Sequence, residues 1–162
     1  MDSTPTVQLL SPGDWPVLRA ARLAALDDSP HAFMSRYEHE CRWSADEWKH
    51  LFVSAKWVVA REGMAVIGIA RSLIEVGRPE ARYLESIWVA PTHRRQGVFR
   101  TLLYALTEIE RHLGVAHVLL WVLEDNHVAR RAYAALGFEP TGERQYLSRL
   151  GRFELELGLD IA

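Results

Sequence analysis

Residues 83–103, YLESIWVAPTHRRQGVFRTLL, constrain the fold more than any other segment, because they read as a strand, a basic glycine-containing loop and the start of an amphipathic helix. On the strand, Tyr83, Glu85, Ile87 and Val89 share one face by the period of two, Trp88 takes the opposite face, and Pro91 ends ladder pairing. The loop carries Arg94, Arg95 and Arg100, with no acidic residue between His93 and Arg100. The first amides of the helix that follows lack intrahelical acceptors, so loop and helix start together suit an anion. Gly97 lets the backbone approach that anion closely, since a side chain there would fill the space of a phosphate oxygen.

Residues 118–140, VLLWVLEDNHVARRAYAALGFEP, read as a buried strand, a short loop, a helix and a glycine stop. Asn126 is the expected N-cap and Gly137 the expected left-handed residue after the last turn. Asn126 and Tyr133 lie on one helix face, about two turns or roughly 10 Å apart.

The two segments together resemble the GNAT superfamily of acyl-CoA-dependent N-acetyltransferases. The first is similar to its pyrophosphate-binding motif, Gln/Arg-x-x-Gly-x-Gly/Ala, with Arg94 and Gly97 in the first two specified places and Phe99 in the third. The resemblance implies an α/β (α+β) fold: a mixed, mostly antiparallel central sheet with helices on both faces, in which the strands of Glu85 and Leu119 diverge to admit pantetheine. It implies acetyl-CoA as co-substrate, held along Ile87, Trp88 and Val89 and by Arg94, Arg95, Gln96, Gly97, Val98, Phe99 and Arg100. In the family the residue at the place of Asn126 contacts the pantetheine arm and the Tyr at the place of Tyr133 sits beside the thioester sulfur. Backbone amides near Val89 would hold the developing oxyanion.

Acyl transfer to an amine needs a base, because a primary amine with a pKa near 10.4 is only about one part in 10³ free base at neutral pH. Glu85 is the candidate, as a Glu on this strand takes the proton in many family members, often through water. Tyr133, ordinarily near 10, is the candidate acid for a leaving thiolate whose conjugate acid is near 8.5. Two rival readings stay open: a GNAT-fold module that binds acyl-CoA without transferring it, as a sensor or assembly subunit, which Phe99 favours and Glu85 and Tyr133 disfavour; and a nucleic-acid-binding loop. The latter predicts a broad basic face, whereas the net charge is −2.

Elsewhere, the chain's 162 residues, 49% apolar and 25% charged, suit a single N-acetyltransferase domain over 1–162. Cys41 is the only cysteine, so an intramolecular disulfide is excluded, and the seven His residues show no close Cys/His ligand spacing, so no metal is expected. No basic segment followed by an apolar run opens the chain, and no apolar block approaches membrane length, so a cytoplasmic enzyme with no membrane or nucleic-acid partner is expected. A homodimer is left open.

The remaining elements follow from period and punctuation. VQLL at 7–10 opens as a strand; Ser11 or Asp14 caps a helix with Val17, Leu18, Ala21, Ala24 and Ala25 inward, stopped at residues 27–30. Residues 31–43 are irregular and form the expected substrate wall, with Phe33, Arg36 and Tyr37 facing the amine of a small molecule or peptide; Asp27, Asp28, Glu38 and Glu40 would suit a cationic acceptor. A capping box at Ser44 and Glu47 starts a helix to about residue 53. Strands at 56–62 and 65–76 turn at Gly63 and lead through a loop at 77–79 into the Glu85 strand as an antiparallel meander. The helix at 97–112 carries a stripe of Val98, Leu102, Ala105, Leu106, Ile109 and Leu113, with Gly114 as its stop, and strands at 137–145 and 152–159 close the chain. Arg130 and Arg131 read as solvated and Cys41 as structural.

Overall fold

The computed structural model describes residues 4–162. These form β1 (Thr6–Leu9), α1 (Trp15–Asp28), α2 (Tyr37–Glu40), α3 (Ala45–His50), β2 (Ala55–Glu62), β3 (Ala65–Ile74), β4 (Ala81–Val89), α4 (Val98–His112), β5 (His117–Leu123), α5 (His127–Ala135), β6 (Glu139–Leu147) and β7 (Arg152–Asp160), with one-turn 3-10 helices at Pro12–Asp14 and Pro91–His93. The strands hydrogen-bond in the order β1-β2-β3-β4-β5-β7-β6. Pairs β1–β2, β2–β3, β5–β7 and β6–β7 are antiparallel and β4–β5 is parallel. This is the mixed, mostly antiparallel architecture expected from the sequence. Backbone contacts divide the chain into two compact units: one takes the chain through Leu73 and again over Glu85–Glu108, the other takes Ile74–Leu84 and Ile109–Ala162.

In the first unit, α1 buries Leu18, Ala21, Ala25 and Leu26 against Trp48, Trp57 and Ile69. Ala24 is exposed, because it lies about 100° around the helix from Ala25. Ser11 donates its backbone N–H to Asp14 Oδ2 at 2.8 Å, closing the 3-10 turn that leads into α1. Ser44 caps α3 reciprocally: its N–H donates to Glu47 at 2.6 Å and the Glu47 N–H returns to Ser44 Oγ at 3.3 Å. The helix ends at His50 and not near residue 53, because the amides of Phe52 and Val53 turn back only three residues, to Lys49 and His50, both at 3.1 Å.

At Gly68, β3 lies tight against α4 and β4. A Cβ there would lie 2.9 Å from Leu102 Cδ1, 3.1 Å from the Trp88 carbonyl oxygen and 3.2 Å from Val98 Cγ1. Only glycine lets the start of α4 settle on β3 and β4.

On α4 the buried row runs Val98, Leu102, Leu106 and Glu110, four residues apart. Leu113 is 61% exposed, contrary to the apolar stripe, since the helix ends at His112 and Gly114 takes φ +79°. Glu110 occupies the inward place instead, with Arg82 Nε 3.4 Å from its carboxylate.

In the second unit, β5 is buried through Val118, Leu119, Leu120 and Val122, and pairs with β7 over its whole length. The parallel β4–β5 ladder is short, holding only Ala81, Arg82 and Tyr83 against His117, Val118 and Leu119. The β6–β7 hairpin changes register between Pro140 and Arg144, where Gly142 takes φ +98°. Val76 is 96% exposed, so β3 ends at Ile74 and the loop to β4 begins earlier than its apolar residues suggest.

Candidate acyl-CoA and acyl-transfer site

The basic loop is built by backbone geometry before any side chain is considered. Ala90 donates to the Ile67 carbonyl at 2.8 Å, the Pro91–His93 turn follows, and the Gln96 side chain ties back to the Thr92 carbonyl at 3.0 Å. Arg95 and Gly97 are both left-handed, at φ +62° and +84°. Thr101 donates to the Gly97 carbonyl at 3.0 Å, the first bond of α4, so the amides before it open the helix with no intrahelical acceptor. A Cβ on Gly97 would meet no atom within 4 Å, which leaves open space over the loop backbone. Open space, left-handed backbone and a helix start fit a pyrophosphate.

The loop's side chains divide. Arg95, Gln96 and Arg100 are exposed, Val98 is buried against Gly68, and Phe99 is half-buried. Arg94 is exposed as well but tethered: its Nε donates to the Val89 carbonyl at 3.0 Å and its Nη2 to Asp28. Asp28 also accepts from the Trp88 indole and the Ser29 hydroxyl, each at 2.8 Å, and these donors together with Arg94 hold its carboxyl below the usual carboxylate range. Arg94 thus ties the loop to the end of α1.

On β4, Glu85 is half-exposed and pairs with Arg71 of β3 at 2.5 Å. Arg71 lies over the Trp57 ring at 5.2 Å, and its buried Nε has no hydrogen-bond partner. The next residue, Ser86, is left-handed at φ +53°. Such a residue inside a strand shifts the side-chain phase, so the alternation expected from Tyr83 to Val89 does not run through it. Ile87 and Val89 are half-buried, and the Trp88 ring is core.

The expected substrate wall is only partly at the surface. Arg36 and Tyr37 are exposed at the start of α2. Phe33 is 7% exposed and lies beneath the Arg22 guanidinium at 5.1 Å, so it packs in the core. Of the acidic residues, Asp27 and Glu38 are exposed, Asp28 is held as above, and Glu40 is buried in a two-bond pair with Arg22, both bonds 2.9 Å. Arg22 also donates to Ser86 Oγ at 2.8 Å. Sequence reading missed Arg22, Arg71, Ser86 and Gly68, because each acquires meaning only from a partner distant in the chain.

In the second unit, Asn126 caps α5 by accepting from the Ala129 N–H at 3.1 Å, and Gly137 closes the helix at φ +92°. The Tyr133 ring meets Phe138 edge-on at 5.7 Å, and burial pushes its hydroxyl up to about 12. Arg130 donates to the Glu124 carbonyl at 2.8 Å. Together with His127, Arg131, Ala134, Phe138, Pro140 and Leu157 it lines a cavity of about 380 Å³. That cavity lies on a helix face about a third of a turn from the Asn126–Tyr133 face. Deeper in the sheet, Tyr83 donates to the buried Glu156, which also accepts from Thr141 at 2.9 Å and lies 3.5 Å from Arg78; burial and Glu156 push the Tyr83 hydroxyl to about 12.

Among the described residues no helix is long and apolar enough to cross a membrane. The sequence profile of the acetyltransferase (GNAT) family matches residues 22–138. No curated protein matches the chain. Among solved structures, the ribosomal-protein-S18-alanine N-acetyltransferase of Escherichia coli is similar at 22% identity over 98% of this chain and 95% of that one, with a TM-score of 0.71. A GNAT-family acetyltransferase of Streptococcus pneumoniae is similar at 15% identity over 98% and 100%, with a TM-score of 0.80. A Salmonella typhimurium protein assigned as an acetyltransferase, solved with its cofactor acetyl-CoA, is similar at 20% identity over 99% and 95%, with a TM-score of 0.74. The solved structures share the fold and the family profile spans most of the chain, so the chain belongs to the GNAT family of acetyltransferases, which are acyl-CoA-dependent N-acyltransferases.

Proposed function

We propose that this chain, acting as one N-acetyltransferase domain in the cytoplasm, transfers the acetyl group of acetyl-CoA to a primary amine of a small molecule or a peptide by direct attack. The observation that carries the reading is the loop from Arg94 to Gly97, with two left-handed residues and open space at the start of a 15-residue helix. Exposed Arg95 and Arg100 supply counter-charge for the pyrophosphate, and Arg94 stiffens the loop through Asp28 and the Val89 carbonyl.

Acetyl-CoA supplies an activated acyl carbon. Glu85, directly or through water, takes a proton from the incoming ammonium, and amides along Ile87–Val89 hold the oxyanion as the new N–C bond forms. The C–S bond then breaks, the electron pair leaves on sulfur, and the second proton of the attacking nitrogen passes through water to that thiolate. Tyr133 carries its proton throughout the neutral range, which suits a hydrogen bond to that sulfur. Asn126 orients the pantetheine arm beside α5. Arg36 and Tyr37 border the acceptor, and Phe33 lies in the core beneath Arg22.

Calorimetry with CoA and acetyl-CoA, followed by thiol release against polyamines, aminoglycosides, amino acids and short peptides, tests this reading. Alanine-initiated peptides belong in the panel because the Escherichia coli S18-alanine enzyme shares the fold. Amine-dependent thiol release is the expected result; failure to bind CoA would overturn it.

A further inference from the structure

We infer that Arg22 is a positioning residue for acetyl transfer: from α1 its guanidinium holds Ser86 left-handed and so sets the directions of Glu85 and of the Ile87–Val89 amides. A left-handed residue other than glycine inside a strand persists only where its surroundings hold it. Ser86, at φ +53°, has such a holder in Arg22 Nη1, 2.8 Å from its hydroxyl. The holder is itself immobilised: Nε and Nη2 each donate to Glu40 at 2.9 Å, and the guanidinium lies over Phe33. The side chains of Arg22 and Glu40 are 10% and 1% exposed.

The chemistry of the pair points to geometry. Buried ion pairs are often replaceable by apolar residues of similar volume with no loss of stability, so their presence is weak evidence of a stabilising role. Here one edge of the fork is spent on the carboxylate and the remaining nitrogen reaches the single left-handed residue of β4. A lysine, a point charge without the planar fork, cannot serve both partners in fixed directions. The inference rests on the proposal that β4 carries the base and the oxyanion amides.

The test uses the full chain. Arg22→Met/Glu40→Leu removes both charges at similar volume, and retained circular dichroism and urea unfolding confirm that it folds. Two readings are taken: hydrogen exchange of the amides of residues 85–89, and kcat and KM for acetyl-CoA with an amine found active in the panel. We expect exchange to rise about tenfold or more, kcat to fall about tenfold or more, and KM to stay within about threefold. Adding Ser86→Gly, which takes φ > 0 unaided, should recover at least about threefold of the lost kcat, whereas Arg22→Lys should not behave as wild type. A folded double variant with wild-type kcat overturns the inference, whatever its exchange. Should the double variant fail to fold, Ser86→Ala decides: raised exchange with reduced kcat supports the role and wild-type values of both refute it. An unchanged pH–rate profile in Glu85→Gln would sink the base reading alone, and the exchange contrast would still show whether Arg22 holds β4.

Discussion

Arg71 of β3 donates to Glu85 of β4 at 2.5 Å while lying over the Trp57 ring, so the candidate base is tethered through one carboxylate oxygen to a guanidinium that cannot easily leave. A half-exposed pair of this kind contributes little to stability. Its consequence is orientation. Together with the left-handed Ser86 beside it, the pair decides where the Glu85 carboxylate stands.

Glu85→Gln preserves size and removes the proton acceptor. We expect kcat/KM for the amine to fall about 10²-fold and the shape of the pH–rate profile to change, with thermal stability within about 0.5 kcal/mol of wild type. The measurement is thiol release from pH 6 to 9. A profile superimposable on that of wild type would assign Glu85 to the Arg71 pair alone.

Asp28 yields a prediction about pH. Trp88, Ser29 and Arg94 hold its carboxyl below the ordinary range in the folded state, so the folded protein binds this proton less tightly than the unfolded chain does. The contribution is therefore complete above the unfolded pKa, near 3.9, and is lost as pH falls through the depressed folded value. Urea unfolding should find Asp28→Asn less stable than wild type at pH 6, with the gap closing below about pH 4. A gap that widened on acidification would contradict the assignment.

How much of this was legible in the sequence follows from the reach of each interaction. The Ser44–Glu47 capping box, the Asn126 cap and the left-handed Gly137 are local, decided within one turn of chain, and all were readable. The Arg22–Ser86, Arg22–Glu40 and Arg71–Glu85 contacts span 64, 18 and 14 residues, and no periodicity marks them. Leu113 misled because the apolar stripe outlasts the helix. Phe33 misled because an aromatic in an irregular segment looks like a surface, whereas Arg22 stacks on it and buries it.

Gly68 and Gly97 should fail on substitution for opposite reasons. At Gly68 a methyl meets the Trp88 carbonyl oxygen at 3.1 Å and Leu102 at 2.9 Å, so Gly68→Ala must push α4 away, at a cost of about 1–3 kcal/mol. At Gly97 there is room, but φ +84° penalises any Cβ by about 1–2 kcal/mol. Urea unfolding measures both costs. Calorimetry with CoA separates them: Gly97→Ala should weaken binding beyond its stability cost by placing a methyl over the loop, and equal CoA affinity in Gly97→Ala and wild type would argue against a phosphate there.

Tyr133 is the sharpest test of the chemical step. Burial raises its hydroxyl to about 12, further from a leaving thiolate than an ordinary phenol near 10. Full transfer to a thiolate whose conjugate acid is near 8.5 would run uphill by about 5 kcal/mol, so a hydrogen bond to sulfur is the role the environment supports. Tyr133→Phe should then lower kcat about tenfold, without the 10²-fold or greater loss expected of an obligate general acid. Spectrophotometric titration should find no tyrosinate from this residue below pH 10, and the kcat profile should show no descending limb from its ionisation in that range. A loss of 10³-fold or more, with kcat falling as a phenol ionises below pH 10, would restore Tyr133 as the proton donor and show that bound acetyl-CoA reverses the effect of burial.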